Sequence, residues 1–250
     1  MTEFVEAEDG VRIAYEIAGE GEPVVLVHGF ASDRVQNWKA PGWYDTLTRA
    51  GRRVVALDFR GHGESDKPHD ATSYGDLMFA DIVAVMDAAS VNQADVMGYS
   101  MGGMLTMALL IRRPDLVRRA IVAGVGASYF HDAPQRRQVL ADGLEAADPA
   151  TIRDPTARIF RSFASQPGKD LVALAACMRA ERTVFTPAEL TRLTHPVLVV
   201  CGEKDALTGP PEPLAAAFAH GRAVTVPDRD HMTTVGDKVY KQAVLEFLES

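Results

Sequence analysis

The stretch GYSMG, residues 98–102, sets Ser100 between two glycines, Gly98 and Gly102. Glycine costs roughly 0.5–1 kcal/mol relative to alanine inside a strand or helix. Its use on both sides of one serine therefore needs a cause. A sharp turn from a buried strand into a helix supplies one. In such a turn the serine takes a strained backbone, often with positive φ, and the residues two before and two after it pass close to neighbouring backbone. The same turn places Ser100 at a helix N-terminus, with the Met101 N–H pointing outward at the positive end of the helix dipole. A hydroxyl nucleophile and one donor for an oxyanion are built together.

Serine is a poor nucleophile at neutral pH and needs a base, usually a histidine oriented by a carboxylate. Seven histidines compete. His28 precedes Gly29 at the end of an apolar run and is expected to be a structural loop residue. His62 and His69 fall in a polar loop, His131 among helical patterns, His195 at a strand entrance and His220 at a helix end. His231 follows the run Ala223–Pro227 and precedes the last helical pattern, at the carboxyl end of the final strand. Sites on parallel sheets assemble at that end. Asp205, which the run VLVVCGEKD places just past the carboxyl end of the preceding strand, completes the order Ser, Asp, His. Glu203 is its nearest competitor and is expected to face solvent or cap the loop. Asp228 and Asp230 are also near, but Asp230 adjoins the histidine and aligns awkwardly with its ring.

The elements that must position these residues are legible as two patterns. Phe4–Ala7 and Val11–Ile17, with Asp9-Gly10 between them, predict a hairpin. The runs at 23–29, 53–58, 94–100, 119–124 and 195–205 are short, wholly apolar and end in polar residues, as strands buried on both faces do. Helical spacing fills the gaps over 74–89, after Ser100 to about Pro114, over Ala215–Phe218 and over Val239–Leu248. Strands alternating with helices predict a doubly wound, mostly parallel sheet with helices on both faces. From 127 to 192 only helical patterns occur, broken by Pro149, Pro155, Pro167 and Pro187. They are expected to form a small helical cap inserted between two parts of a core, 1–126 and 193–250. Its apolar and aromatic residues (Tyr129, Phe130, Ile159, Phe160, Phe163, Met178, Phe185) exceed what solvated helices need, and Phe160 and Phe163 are the candidate pocket residues.

The chain has 250 residues, 47% hydrophobic and 24% charged, an ordinary globular composition. A formal net charge of −8 argues against a nucleic-acid surface. The acidic N-terminus reads as no secretory signal, and the longest apolar stretch, Met101 to Ile111, is too short to span a bilayer. Cys177 and Cys201 form neither a redox nor a metal spacing, so a cytoplasmic setting is the default. No zinc-type ligand spacing and no dinucleotide fingerprint occur, so neither metal nor cofactor is called for. The expected partner is a small-molecule substrate, with no nucleic acid and no membrane.

With these residues in place, the chain resembles the α/β-hydrolase fold family over nearly its whole length. The motifs that carry the resemblance are HGF (28–30), DFRGHGES (58–65), GYSMGG (98–103), GEKD (202–205) and DHM (230–232), in family order. It implies that the backbone N–H groups of Phe30 and Met101 form an oxyanion hole, with Gly29 allowing close approach, and that Asp58 and Arg60 are structural. One departure is Asp230, where the family usually has glycine; a carboxylate there could raise the pKa of His231 or bind a substrate cation. Serine rather than aspartate as nucleophile points to acyl transfer on a small or medium ester, thioester or lactone. A C–C bond hydrolase acting on diketones and a cofactor-free perhydrolase use the same residues. A ligand receptor on the same fold is the alternative of another class.

Overall fold

The computed structural model describes residues 1–131 and 134–250. The expected hairpin is β1 (Thr2–Glu6) and β2 (Arg12–Ala18), antiparallel about the positive-φ Gly10. The apolar runs become β3 (Glu22–Val27), β4 (Arg52–Leu57), β5 (Ala94–Tyr99), β6 (Val117–Ala123), β7 (Val197–Gly202) and β8 (Gly221–Val226). They join one eight-stranded sheet in the order β1-β2-β4-β3-β5-β6-β7-β8. Only β1–β2 and β2–β4 pair antiparallel; the other pairs are parallel. The strand order turns at β3, which pairs β4 on one side and β5 on the other. The loops leaving β3 and β5 therefore flank a crevice at the carboxyl end of the sheet, the place where open α/β sheets bind ligands.

Alternate residues explain why the strands are apolar throughout. Val24 and Leu26 pack with Val54, Met97, Ile121 and Leu198 on one face; Val25 and Val27 pack with Val55, Val96, Val122 and Val199 on the other. The first face is covered by α1 (Trp43–Arg49) and α9 (Lys238–Glu249) through Trp43, Leu47, Tyr240 and Phe247. The second face takes α2 (Leu77–Ala88) and α3 (Met101–Arg112), with α8 (Glu212–Ala215) at its end. One expectation needs correction. The helix read over Ala215–Phe218 lies earlier and is a single turn, Glu212–Ala215. The wide helical turn Val35–Lys39 and helix α1 lie in a stretch for which the sequence patterns predict no element.

Between β6 and β7 the described residues form no strand. They form α4 (Pro134–Glu145), α5 (Pro155–Ala164), α6 (Leu171–Arg179) and α7 (Pro187–Leu190), with short 3-10 turns at Ala127–His131 and Pro149–Thr151. Pro155 and Pro187 open helices rather than merely breaking them. Each occupies the first helical position, where the missing N–H costs nothing. Asp154 and Thr186 cap these helices in front of the prolines, and Asp170 caps α6.

Candidate active site

Ser100 sits between β5 and α3 with φ 55° and ψ −116°, a conformation most side chains avoid. Its flanking glycines are there because nothing larger fits. A Cβ on Gly98 would lie 2.1 Å from the Gly102 carbonyl oxygen, and one on Gly102 would lie 2.0 Å from that of Val27. The Ser100 N–H donates to the Ala123 carbonyl at 2.7 Å, which ties the turn to β6.

His231 enters from the loop after β8. Its ring Nε2 is 3.0 Å from Ser100 Oγ, and its Nδ1 is 2.7 Å from Asp205 Oδ2. The other Asp205 oxygen, Oδ1, accepts the backbone N–H groups of Leu207 and Thr208 at 3.0 and 3.2 Å. Burial works to raise the Asp205 pKa, but the His231 hydrogen bond and charge and the loop N–H groups outweigh it and hold the carboxyl below its usual range. An ionised Asp205 only accepts, so Nδ1 of His231 carries the proton and Nε2 is left to accept from the serine hydroxyl. The Tyr99 hydroxyl donates to the His231 carbonyl, which fixes the loop against β5.

The competing carboxylates are engaged elsewhere. Exposed Glu203 accepts the Asp228 N–H at 2.9 Å, and Asp228 pairs with Lys204. Asp230 Oδ1 accepts from the N–H groups of Met232 and Thr233 and from the Thr233 hydroxyl, at 3.0, 2.8 and 2.7 Å. It closes the turn that carries His231, a role that the motif comparison did not suggest.

The HGF segment leaves β3 beside this line. His28 is fully buried; its Nδ1–H donates to the Gly29 carbonyl and its Nε2 accepts the Phe59 N–H at 3.0 Å, while burial pushes its pKa down and keeps it neutral. The Gly29 N–H donates to Asn37 Oδ1 at 2.9 Å. A Cβ on Gly29 would lie 3.4 Å from Ser100 Cβ, so the loop backbone passes directly over the serine. Among the described residues the Phe30 N–H has no acceptor, and Met101, as the first residue of α3, presents an N–H that the helix ladder leaves over. His62, read from sequence as part of a polar loop, is instead buried under Phe30, ring centroids 5.9 Å apart. Asp58 is buried, bonded to the N–H groups of Arg34 and Glu64 and paired with the Arg34 guanidinium. Arg60 is clamped between Asp9 and Asp81. Neither reaches the serine's cavity.

A cavity of about 330 Å³ opens above Ser100 and His231. Phe30 and the α5 residues Ile159, Phe160 and Phe163 form one wall. Tyr129, Met178 and Phe185, from the same list of aromatic and apolar candidates, are core residues. The polar Ser32, Gln36 and Asn37 and the apolar Leu207, Met232 and Val235, none of them a candidate from the sequence, also line it. Met232 belongs to the DHM motif, and for the others only their neighbours' motifs could have pointed to them. The Nδ2 of buried Asn37 has no protein acceptor among the described residues. No group of three or more His, Cys, Asp or Glu placed to hold a metal occurs among the described residues, and no helix there is long and apolar enough to cross a membrane.

A sequence profile of the alpha/beta hydrolase fold matches residues 22–171. The chain is 28% identical over 215 residues to a 2-hydroxymuconate semialdehyde hydrolase of Pseudomonas sp. (strain CF600), covering 78% of this chain and 75% of that protein. It superimposes with a TM-score of 0.78 on a hydrolase from Pseudomonas aeruginosa PA01, at 26% identity over 100% of this chain and 98% of the other. A malate-bound thermophilic esterase from Thermogutta terrifontis gives a TM-score of 0.77 at 25% identity, with the same coverage. The chain belongs to the alpha/beta hydrolase fold family and is an enzyme of the hydrolase class.

Proposed function

We propose that the enzyme cleaves a small or medium carboxylic ester, thioester or lactone through an acyl-serine intermediate. The observation that carries this is the unbroken line from Asp205 through His231 to Ser100, at 2.7 and 3.0 Å, on the floor of a largely apolar cavity. His231 Nε2 takes the Ser100 proton as Oγ attacks the substrate carbonyl carbon. The C=O electron pair moves onto oxygen, where the Phe30 and Met101 N–H groups stabilise it. Asp205 stabilises the imidazolium, which then protonates the leaving alcohol, thiol or ring oxygen as the tetrahedral intermediate collapses to acyl-Ser100. Water, deprotonated by the same histidine, releases the acid. The α5 residues act as a cap whose aromatic side chains select the acyl group, and about 330 Å³ suits a modest group rather than a long lipid chain.

A panel of nitrophenyl esters, acyl thioesters and lactones tests this, with turnover expected on at least one class. A second reading, hydrolysis of a C–C bond beside a carbonyl, draws support from the similarity to the 2-hydroxymuconate semialdehyde hydrolase. Turnover confined to vinylogous diketones would favour it.

A further inference from the structure

A second cavity, of about 270 Å³, adjoins the one above Ser100: Ser32 lines both. Lys169 links the wall of the second to that of the first. Its side chain lines the second cavity, while its Nζ donates to Gln36 Oε1 at 3.0 Å, to the Phe163 carbonyl at 3.1 Å and to Gln166 Oε1 at 2.9 Å. Gln36 and Phe163 are walls of the first cavity. The ammonium also lies 3.8 Å from the centroid of the Phe163 ring, a cation–π contact. Gln36 Nε2 closes the knot by donating to Gln166 Oε1 at 2.9 Å. The knot thus ties the loop after β3 to the segment after α5 at the junction of the two cavities.

Among the described residues no carboxylate pairs with Lys169; its acceptors are amide and carbonyl oxygens. Partial burial lowers its pKa to about 8, with Asp33 opposing. An ammonium held half-buried by neutral acceptors, at a desolvation cost, is spent on geometry rather than on charge neutralisation. The geometry it fixes is that of Phe163 and Gln36.

We propose that Lys169 is the partition that limits the length of acyl group the enzyme accepts, and that the solvent-open cavity beyond it would extend the acyl pocket. This rests on the acyl-serine reading above. The far cavity has mixed-charge walls, with Arg34 paired to Asp58 and Glu64, Lys67 donating to the Gly63 and Ser65 carbonyls, and the His62 ring nearby. An uncharged polar end, such as an ω-hydroxyl, suits such walls better than a plain alkyl end.

The test compares Lys169→Ala with the wild-type enzyme at pH 7 on nitrophenyl butanoate, octanoate and ω-hydroxyoctanoate, with fluorophosphonate labelling of Ser100 followed in parallel. Opening the partition should raise kcat/KM for the ω-hydroxyoctanoate relative to the butanoate by about tenfold, the scale on which a pocket discriminates by chain length. Plain octanoate should gain less, and labelling should stay near the wild-type rate. Lys169→Met, which keeps bulk but loses the bonds, should give a smaller shift in the same direction. If Lys169→Ala does not fold, Gln36→Ala, which removes the core-side anchor, should produce the same change in ranking. A merely structural lysine would lower all three substrates together with thermal stability. Ratios within about twofold of wild type, in a variant that still labels, would overturn the partition. A wild-type enzyme that fails to label would instead remove the acyl-serine reading, and the partition with it.

Discussion

The rings of Phe30 and Phe160 meet in the wall of the cavity, centroids 5.7 Å apart and planes inclined at 42°. Phe30 follows Gly29, whose backbone passes over Ser100, and Phe160 belongs to α5 and carries no polar function. Under the proposed function, the ring that would select the acyl group touches the side chain of the residue whose N–H would stabilise the oxyanion, while the bond-making atoms would lie on the backbone side of that contact.

It follows that Phe160→Ala and Phe163→Ala should change the ranking of acyl chain lengths by kcat/KM, by about tenfold between neighbours in the series. The reaction of Ser100 with a fluorophosphonate should be largely unaffected. An unchanged ranking in both variants would make these rings packing residues. Esters of graded chain length, assayed side by side, decide it.

Asp205→Asn should lower kcat by about 10⁴, because an amide neither fixes the His231 tautomer nor stabilises the imidazolium. Glu203→Gln should cost far less, since Glu203 is exposed and bonded to the Asp228 backbone. The reverse order in steady-state assays would transfer the role to Glu203.

The pH dependence separates His231 from its carboxylate neighbours. Asp205 has a folded pKa below the usual carboxylate value, so its stabilising contribution is present above that usual value and is lost only as pH falls through the lowered one. It stays ionised through the neutral range. The rise of activity with pH should accordingly follow one group, the histidine that must be neutral to accept the Ser100 proton. Asp230→Gly should leave that limb in place, because the Asp230 carboxylate is committed to the turn at Met232 and Thr233. The variant should instead lose thermal stability, about 2–4 °C for each kcal/mol of turn hydrogen bonding removed. A limb moved to lower pH would show that Asp230 acts on the ring after all.

Where a residue's role depends on its own neighbours in the chain, it could be read without the structure. Gly98 and Gly102 announced the turn because the clashes they avoid lie within the strand-turn-helix unit or on the adjoining β3. Asp205 and His231 were legible as strand-end residues for the same reason. Fully apolar runs such as Val197–Val200 betrayed strands buried on both faces. What escaped was long-range or ambiguous. Trp43–Arg49 follows Pro41 and Gly42 and has too few turns for a period to show, so its helix is decided by burying Trp43 and Leu47 under α9. Asn37 and Gln36 carry no motif and enter the site only because the turn Val35–Lys39 folds back over Ser100. His62 looked solvated among polar neighbours; packing of Phe30 and His28 against it buries it. Phe160 and Phe163, the candidate pocket residues, do line the cavity, whereas the exposed Ile159 beside them is indistinguishable in sequence from core residues such as Tyr129.

The claim on which everything else depends is that Ser100 is the nucleophile. Intact-protein and peptide mass spectrometry after treatment with a fluorophosphonate measures it directly. One adduct per chain, on the peptide containing Ser100, absent in Ser100→Ala and much slower to form in His231→Ala, is the expected result. A preparation that hydrolyses its substrate while Ser100 stays unmodified, or that retains activity in Ser100→Ala within about tenfold of wild type, would contradict it.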